Sequence, residues 1–171
     1  MIFLSGVHGV GKSYFCNIVK ERLGINSYSA STLITEKKHS GFGKDKLIPD
    51  IDDNQVFLLE AVNELRESGN DFILDGHFCL LNGEGVVTRI PLDTFTTLKP
   101  DAIILLTEQP EVIAERRKSR DNIDVDTEGI TEFQNEEAAY AEEVAKLIGA
   151  KLFISKGASS LDDAINFLQT L

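Results

Sequence analysis

Apolar positions along the chain follow two rhythms. Short unbroken runs, Ile2-Phe3-Leu4, Phe72-Ile73-Leu74 and Ala102-Ile103-Ile104-Leu105-Leu106, read as strands buried on both faces. Ile25 to Ser29 and Lys151 to Ser155 read as two further strands. Between these runs the spacing changes to three and four, as on one face of a helix. Phe15, Ile18, Val19 and Leu23 precede a stop at Gly24, and Leu58, Val62 and Leu65 precede Ser68-Gly69. A long helix is predicted from about Ile130 to Ile148, ending at Gly149, and a last one carries Leu161, Ile165 and Leu168 after a start at Ser160. Shorter helices are predicted from Ala30-Ser31-Thr32 towards Lys38, from Pro91 to Leu98, and from Pro110, which suits a first helical turn. Strands alternating with helices make βαβ units, hence one α/β domain over residues 1–171: a three-layer sandwich of about five parallel strands with helices on both faces.

Three stretches break the rhythm. Residues Lys38 to Asp53 hold Gly41, Gly43, Pro49 and scattered charges with no period, which predicts a mobile loop placed to cover a substrate. Asn82-Gly83-Glu84-Gly85 is rich in turn formers, and Asp121 to Glu128 is polar and acidic, as in an exposed excursion. No internal repeat or low-complexity tract interrupts the chain.

A formal net charge of −11 over 171 residues argues against gripping duplex DNA or an anionic membrane by bulk electrostatics. An anionic ligand must therefore be held locally, near Lys37-Lys38, Lys44-Asp45-Lys46 or the run Arg116-Arg117-Lys118-Ser119-Arg120. No apolar run approaches the ~20 residues of a membrane span and no signal-peptide pattern opens the chain, so a cytoplasmic location is expected. Cys16 and Cys79 lack metal-ligand spacing and are expected to be reduced and structural, with Cys79 a reporter of ligand binding if it can be modified.

The stretch that organises the rest is Gly6-Val7-His8-Gly9-Val10-Gly11-Lys12-Ser13, which fits GxxxxGK[ST] between a buried strand and a helix. Glycines there let successive backbone N–H groups point inward, and the helix N-terminus favours an anion. Lys12 would reach the β- and γ-phosphates of a nucleotide, and the Ser13 hydroxyl would hold Mg²⁺. This is the signature of a P-loop NTPase sandwich. Asp75, at the carboxyl end of an apolar strand, would either orient the Mg²⁺ shell or accept a proton from the attacking group. No Glu follows it, which favours transfer to a bound acceptor over hydrolysis, and no guanine-reading Asn-Lys-x-Asp stretch is present. Arg116 and Arg120 share a helical face; they either close over the triphosphate as part of a lid or form a solvated patch pairing with Asp121 or Glu115. His77 either touches the acceptor or makes a structural hydrogen bond, His8 contributes backbone within the loop, and His39 is solvated.

Taken with the Asp75-Gly76-His77 segment, Leu98-Lys99-Pro100-Asp101, the Arg116-Arg117 pair, Arg120-Asp121, Gln134-Asn135 and the Gly149-Ala150 turn, the chain resembles the P-loop nucleoside monophosphate kinases, nearest the archaeal type of adenylate kinase. The resemblance implies ATP and Mg²⁺ as cofactors and a small-molecule phosphate acceptor, AMP or a deoxynucleotide first. It implies that Gly6, His8, Gly9, Val10, Gly11, Lys12, Ser13 and Tyr14 bind ATP, with Arg116 near the adenine or phosphates and Lys156-Gly157 bordering the adenine. Residues 31–55 would form the acceptor-binding flap, with Ser31, Thr32, Gln55 and His77 on the substrate, and residues 116–129 the lid. Lys12, Asp75, Arg116 and Arg120 would carry catalysis, and Ser13 and Asp75 would hold the metal. The sequence departs from the pattern after Gln55, where Val56, Phe57 and Leu58 stand in place of an arginine for the monophosphate; Arg89 is the expected substitute. Two other readings remain: a P-loop kinase for a sugar, a metabolite or a nucleic-acid 5′ end, or an ATP-binding regulatory module that reports to a partner protein.

Overall fold

The structure, a computed structural model, describes residues 1–39 and 50–171, with the side chains of residues 50–53 outside that description. The middle of the expected mobile flap, residues 40–49, lies outside the described residues.

The chain runs β1 (Ile2–Ser5), α1 (Lys12–Leu23), β2 (Asn26–Ser29), α2 (Ala30–His39), α3 (Asp50–Glu67), β3 (Phe72–Asp75), β4 (Cys79–Leu81), β5 (Val87–Arg89), α4 (Leu92–Leu98), β6 (Ala102–Thr107), α5 (Pro110–Asp121), α6 (Thr127–Ile148), β7 (Lys151–Lys156) and α7 (Leu161–Gln169). Five strands form one parallel sheet in the order β2-β3-β1-β6-β7. Alternation along the strands builds two cores, because successive side chains leave opposite faces of the pleat. Ile2, Leu4, Ile73, Ile104 and Leu106 pack against Phe15 and Val19 of α1, Ile113 of α5 and Ile165 and Leu168 of α7. Phe3, Phe72, Leu74, Ile103 and Leu105 pack on the other face against Val62 of α3, Phe95 of α4 and Tyr140 and Val144 of α6.

Register decides where the site lies. Asp75 is level with Leu4 and with Ser29, Ser5 with Leu105, and Thr107 with Lys156, so the carboxyl ends of all five strands meet along one edge. The chain leaves β1 towards β2 and β3 on one side and reaches β6 on the other. A crevice therefore opens beyond Ser5, where α/β sheets hold ligands.

Three predicted elements differ. The turn-rich stretch is a hairpin of its own: β4 and β5 pair antiparallel, and the Asn82 side-chain oxygen accepts from Glu84 N and Val86 N at 2.9 Å each. Three-residue strands are too short to show a period. α3 begins at Asp50, four residues ahead of the expected Asn54. The acidic excursion shrinks to residues 122–126, because α5 continues through Asp121 to a left-handed Asn122 and α6 starts at Thr127, capped by Asp126. The segment expected as a lid over 116–129 is thus largely two helix ends joined by a short turn.

Candidate functional site

The phosphate cradle follows from the exit of β1. Gly6 stands at φ 150° where a Cβ would lie 2.8 Å from the Leu106 carbonyl oxygen, so the loop leaves between β1 and β6 at a distance only glycine allows. Gly11, at φ 111°, caps α1 with no side-chain hydrogen bond, which leaves the first-turn N–H groups of α1 facing the cleft. Ser13 and Tyr14 are exposed on that first turn, and the cleft is lined by the loop from Val7 through Tyr14.

Lys12 does not point into open solvent. Its Nζ lies 2.7 Å from Asp75 Oδ1, donates to the Gly76 carbonyl at 3.0 Å and sits 3.3 Å from His77 Nε2. Both charged side chains are largely covered, so this ion pair is poorly screened. His77 is held neutral: burial first, then the Lys12 and His8 charges, lower its pKa from 6.5 to about 3. His8, exposed in the loop, packs edge-on to His77 at 6.0 Å between ring centres, and its pKa is also lowered, by partial burial and then by Arg117.

The arginine run divides. Arg116 reaches over the loop, where Nη1 donates to the Val10 carbonyl at 3.0 Å and Nη2 lies 3.5 Å from Glu108 Oε2. Arg120 lines the same cleft but grips its neighbour Asp121 through two hydrogen bonds at 2.7 and 2.8 Å. Arg116 is thus held against the loop and Arg120 against Asp121, the pairing expected of a solvated patch.

A cavity of about 1320 Å³ is lined by these groups and also by Ser31, Ile34, Gln55, Leu58, Thr94 and Phe95, with Asp75 and His77 on the same wall. Thr94 donates its hydroxyl to Gln55 and fixes that amide. Ser31 and Gln55 are thus brought together as expected, whereas Thr32, Arg89 and Lys156 are not among the residues lining the cavity. Arg89 is bound elsewhere: it pairs with Glu136 and Glu143 and lies 4.7 Å from the centre of the Tyr140 ring. It adds no charge to the cavity wall. Gly157, next to Lys156, does border the cavity.

Cys79 is fully buried, and burial with the neighbouring Glu137 carboxylate pushes its thiol up to about 12. It is an inert core residue and not an accessible reporter.

Three residues that shape the site had no role assigned from the sequence, although Gln134 stood in one of its motifs. Glu108 lines the cavity beside Gly157 and faces Arg116. Gln134 pairs with the Glu108 backbone, accepting at 3.0 Å and donating at 2.9 Å. Glu137 is fully buried and accepts from Ser5 at the end of β1 and from Phe78 and Cys79 just after His77. The signal for Glu137 was present, since it interrupts the apolar stripe of α6 between Ile130 and Tyr140.

Among the described residues no group of three or more His, Cys, Asp or Glu side chains is placed to hold a metal, and no helix is long and apolar enough to cross a membrane. Magnesium carried on phosphates needs only one or two protein ligands, and Ser13 and Asp75 stand at the adjoining ends of α1 and β3.

A family model described as an AAA domain matches residues 5–134. An adenylate kinase of Pyrobaculum aerophilum is 33% identical over 124 residues, which cover 68% of this chain and 62% of the relative. The chain spans between 55% and 62% of the length of the curated relatives it matches. Among solved structures, an unliganded sugar kinase from Janibacter sp. HTCC2649 superposes with a TM-score of 0.57 at 14% identity, covering 99% of this chain and 91% of that one. A gluconokinase from Sinorhizobium meliloti 1021 gives 0.52 at 18% identity, covering 96% and 86%. At such identities these two establish the shared fold alone.

Proposed function

The chain belongs to the AAA domain family of P-loop proteins, and from that premise we propose that it is a kinase transferring the γ-phosphoryl group of Mg·ATP to a nucleoside monophosphate, AMP or a deoxynucleotide. One observation carries the reading: a single cavity of about 1320 Å³ is lined by the phosphate cradle and also by a partly apolar set of residues from α2, α3 and α4, with Asp75 and His77 on the same wall. One drug-sized ligand fills roughly 300–1,000 Å³, so this cleft has room for two bound partners facing each other.

In this reading the P-loop amides and the α1 N-terminus bind the triphosphate, and Lys12 exchanges Asp75 for the β- and γ-oxygens. Bound Mg²⁺, held by Ser13 and Asp75, would neutralise charge on those oxygens. Neutral His77 offers a hydrogen bond to the acceptor without adding charge. Arg116 already spans the loop, and Arg120 would leave Asp121 to cover the transferring group and exclude water. Rate enhancement then comes from positioning and charge stabilisation, with no covalent intermediate.

A second acceptor class is favoured by one feature. Among the described residues lining the cavity the only Lys or Arg are Lys12, Arg116 and Arg120, of α1 and α5, and none comes from α2, α3 or α4, so an acceptor without a phosphate, such as a sugar or small alcohol, fits that wall as well. The deciding experiment incubates the protein with Mg·ATP and a panel of nucleoside monophosphates, sugars and small alcohols while following ADP formation. Turnover that requires a nucleoside monophosphate and is lost in Lys12→Ala supports the proposal. Turnover with a non-phosphorylated acceptor supports the second reading, and tight ATP binding without any turnover supports a regulatory nucleotide switch.

A further inference from the structure

We infer that Glu137 of α6 is the positioning residue of this site, a buried carboxylate that locks the loop after His77 to the strand that feeds the phosphate cradle. The inference rests on the kinase reading above for its effect on turnover, and on geometry alone for the lock itself.

The hydrogen-bond partners of Glu137 lie at the end of β1 and just after His77, on either side of the reacting groups. Its carboxylate accepts from the Ser5 hydroxyl, from Phe78 N at 3.0 Å and from Cys79 N at 2.8 Å. Ser5 is the last residue of β1, directly before Gly6. Phe78 and Cys79 are the first two residues after His77. The parallel ladder between β1 and β3 ends at Asp75, with one more bond from Gly76 N to Leu4 O at 3.0 Å. Beyond that point the chain leaves the β1–β3 ladder, with Cys79 opening β4 level with Arg89 of β5, and Glu137 supplies the acceptor for the N–H groups of Phe78 and Cys79.

The choice of a carboxylate is costly unless it does something. The rest of this helix face is apolar, with Ile130, Phe133, Tyr140, Ala141 and Val144, and a leucine at 137 would fill the same core without desolvating a charge. A leucine would also strand two buried backbone donors and free the Ser5 hydroxyl. Burial of Glu137 raises its pKa, and the three donors oppose that rise. Residues one helical step to either side act similarly: Gln134 grips the backbone of Glu108 on the cavity wall, and Tyr140 donates to the Ile90 carbonyl at 2.7 Å. One face of α6 thus fixes the ends of β1, β3 and β6 and the end of the hairpin, and Glu137 holds the pair nearest Lys12, Asp75 and His77.

The test uses the full chain with Glu137→Gln, Ser5→Ala and Tyr140→Phe. Glutamine keeps the shape but offers one accepting oxygen, so either Phe78 or Cys79 loses its partner. Amide hydrogen exchange at Phe78 and Cys79, calorimetric affinity for Mg·ATP, acceptor-dependent turnover and thermal unfolding are measured on each. Expected for Glu137→Gln are exchange at those amides at least roughly tenfold faster and kcat lower by on the order of a hundredfold, while the Mg·ATP affinity stays within about threefold. Ser5→Ala should lower kcat by several-fold with the two amides still protected, and Tyr140→Phe, which frees only the Ile90 carbonyl, should leave exchange at Phe78 and Cys79 unchanged. Unaltered exchange in Glu137→Gln overturns the inference, as does turnover that falls only in step with the folded fraction. If Glu137→Gln does not fold, Ser5→Ala decides by its kcat at unchanged nucleotide affinity. Should the wild type transfer no phosphate at all, the kinase reading fails, and the exchange arm still decides the lock.

Discussion

Lys12 Nζ and Asp75 Oδ1 lie 2.7 Å apart, so the lysine of the phosphate cradle is occupied by the acid at the end of β3. The pairing follows from register: Asp75 stands level with Leu4, and the P-loop turns back from β1 to start α1 just across the crevice. Under the proposed function each partner is a stand-in: Asp75 would take the place of phosphate on the lysine, and the lysine the place of a metal on the acid.

Freeing Lys12 should separate nucleotide binding from turnover. Asp75→Asn removes both the competitor for the lysine and a negative charge beside the triphosphate. Affinity for ATP in the presence of a chelator should rise about fivefold, the equivalent of ~1 kcal/mol of partly covered ion pairing. Turnover with magnesium should fall, because the metal loses a ligand. Calorimetry with and without magnesium reads both arms, and weaker metal-free binding in Asp75→Asn would contradict the assignment.

The approach of the loop to β6 can be tested with one methyl group. In Gly6→Ala the added carbon meets the Leu106 carbonyl at 2.8 Å, a backbone atom that cannot step aside. A loss of about 1–3 kcal/mol in stability is expected from the strained backbone, together with weaker ATP binding as the amides turn out of line. Urea unfolding checks the first and calorimetry the second. Gly24→Ala provides the comparison, since it meets no atom within 4 Å although its φ is 72°, and it should cost stability without touching affinity.

The large elements were legible because each announces itself locally. Ala102 to Leu106 is apolar on both faces and can only be a central strand, and the run from Gly6 to Ser13 carries its turn chemistry in its own residues. The hairpin of β4 and β5 was hidden because its strands hold three residues each, and its exposed Leu80 and Leu81 carry no alternation. Arg89 was misread for a different reason. Its partners Glu136 and Glu143 lie about fifty residues away, and only the packing of α6 against the hairpin brings them together. Glu137 looked like any surface glutamate of a helix, although its place in the apolar stripe should have marked it. A buried charge shows in sequence as an interruption of a pattern, and its partners do not show at all.

Arg89 should matter for stability and not for chemistry. Its guanidinium bridges two glutamates of α6 and covers the Tyr140 ring, with its pKa raised by those carboxylates. Arg89→Met keeps much of the stem and loses the charge. About 1 kcal/mol of stability should go with the ring contact and the exposed ion pairs, while the KM for the acceptor stays as in the wild type. A marked rise in that KM would place Arg89 at the acceptor after all.

His77 makes folding sensitive to acid. Its pKa drops from 6.5 to about 3 on folding, chiefly through burial and then through Lys12. The unfolded chain therefore takes up a proton at this residue before the folded chain does, and proton uptake by the unfolded state lowers stability as pH falls. The contribution is complete above about pH 6.5 and is lost progressively as pH drops towards 3. Protonation would also put the new N–H on Nε2, 3.3 Å from the Lys12 ammonium, replacing an accepting nitrogen by a second positive donor. His77→Gln keeps a neutral polar side chain and removes this titration. Urea midpoints at pH 7 and pH 5, above the range where most carboxylates titrate, should differ more in the wild type than in His77→Gln. Parallel profiles for the two proteins would mean that His77 is as free to take a proton in the folded state as in the unfolded one, and the neutral hydrogen-bonding role given to it beside Lys12 would fall with that result.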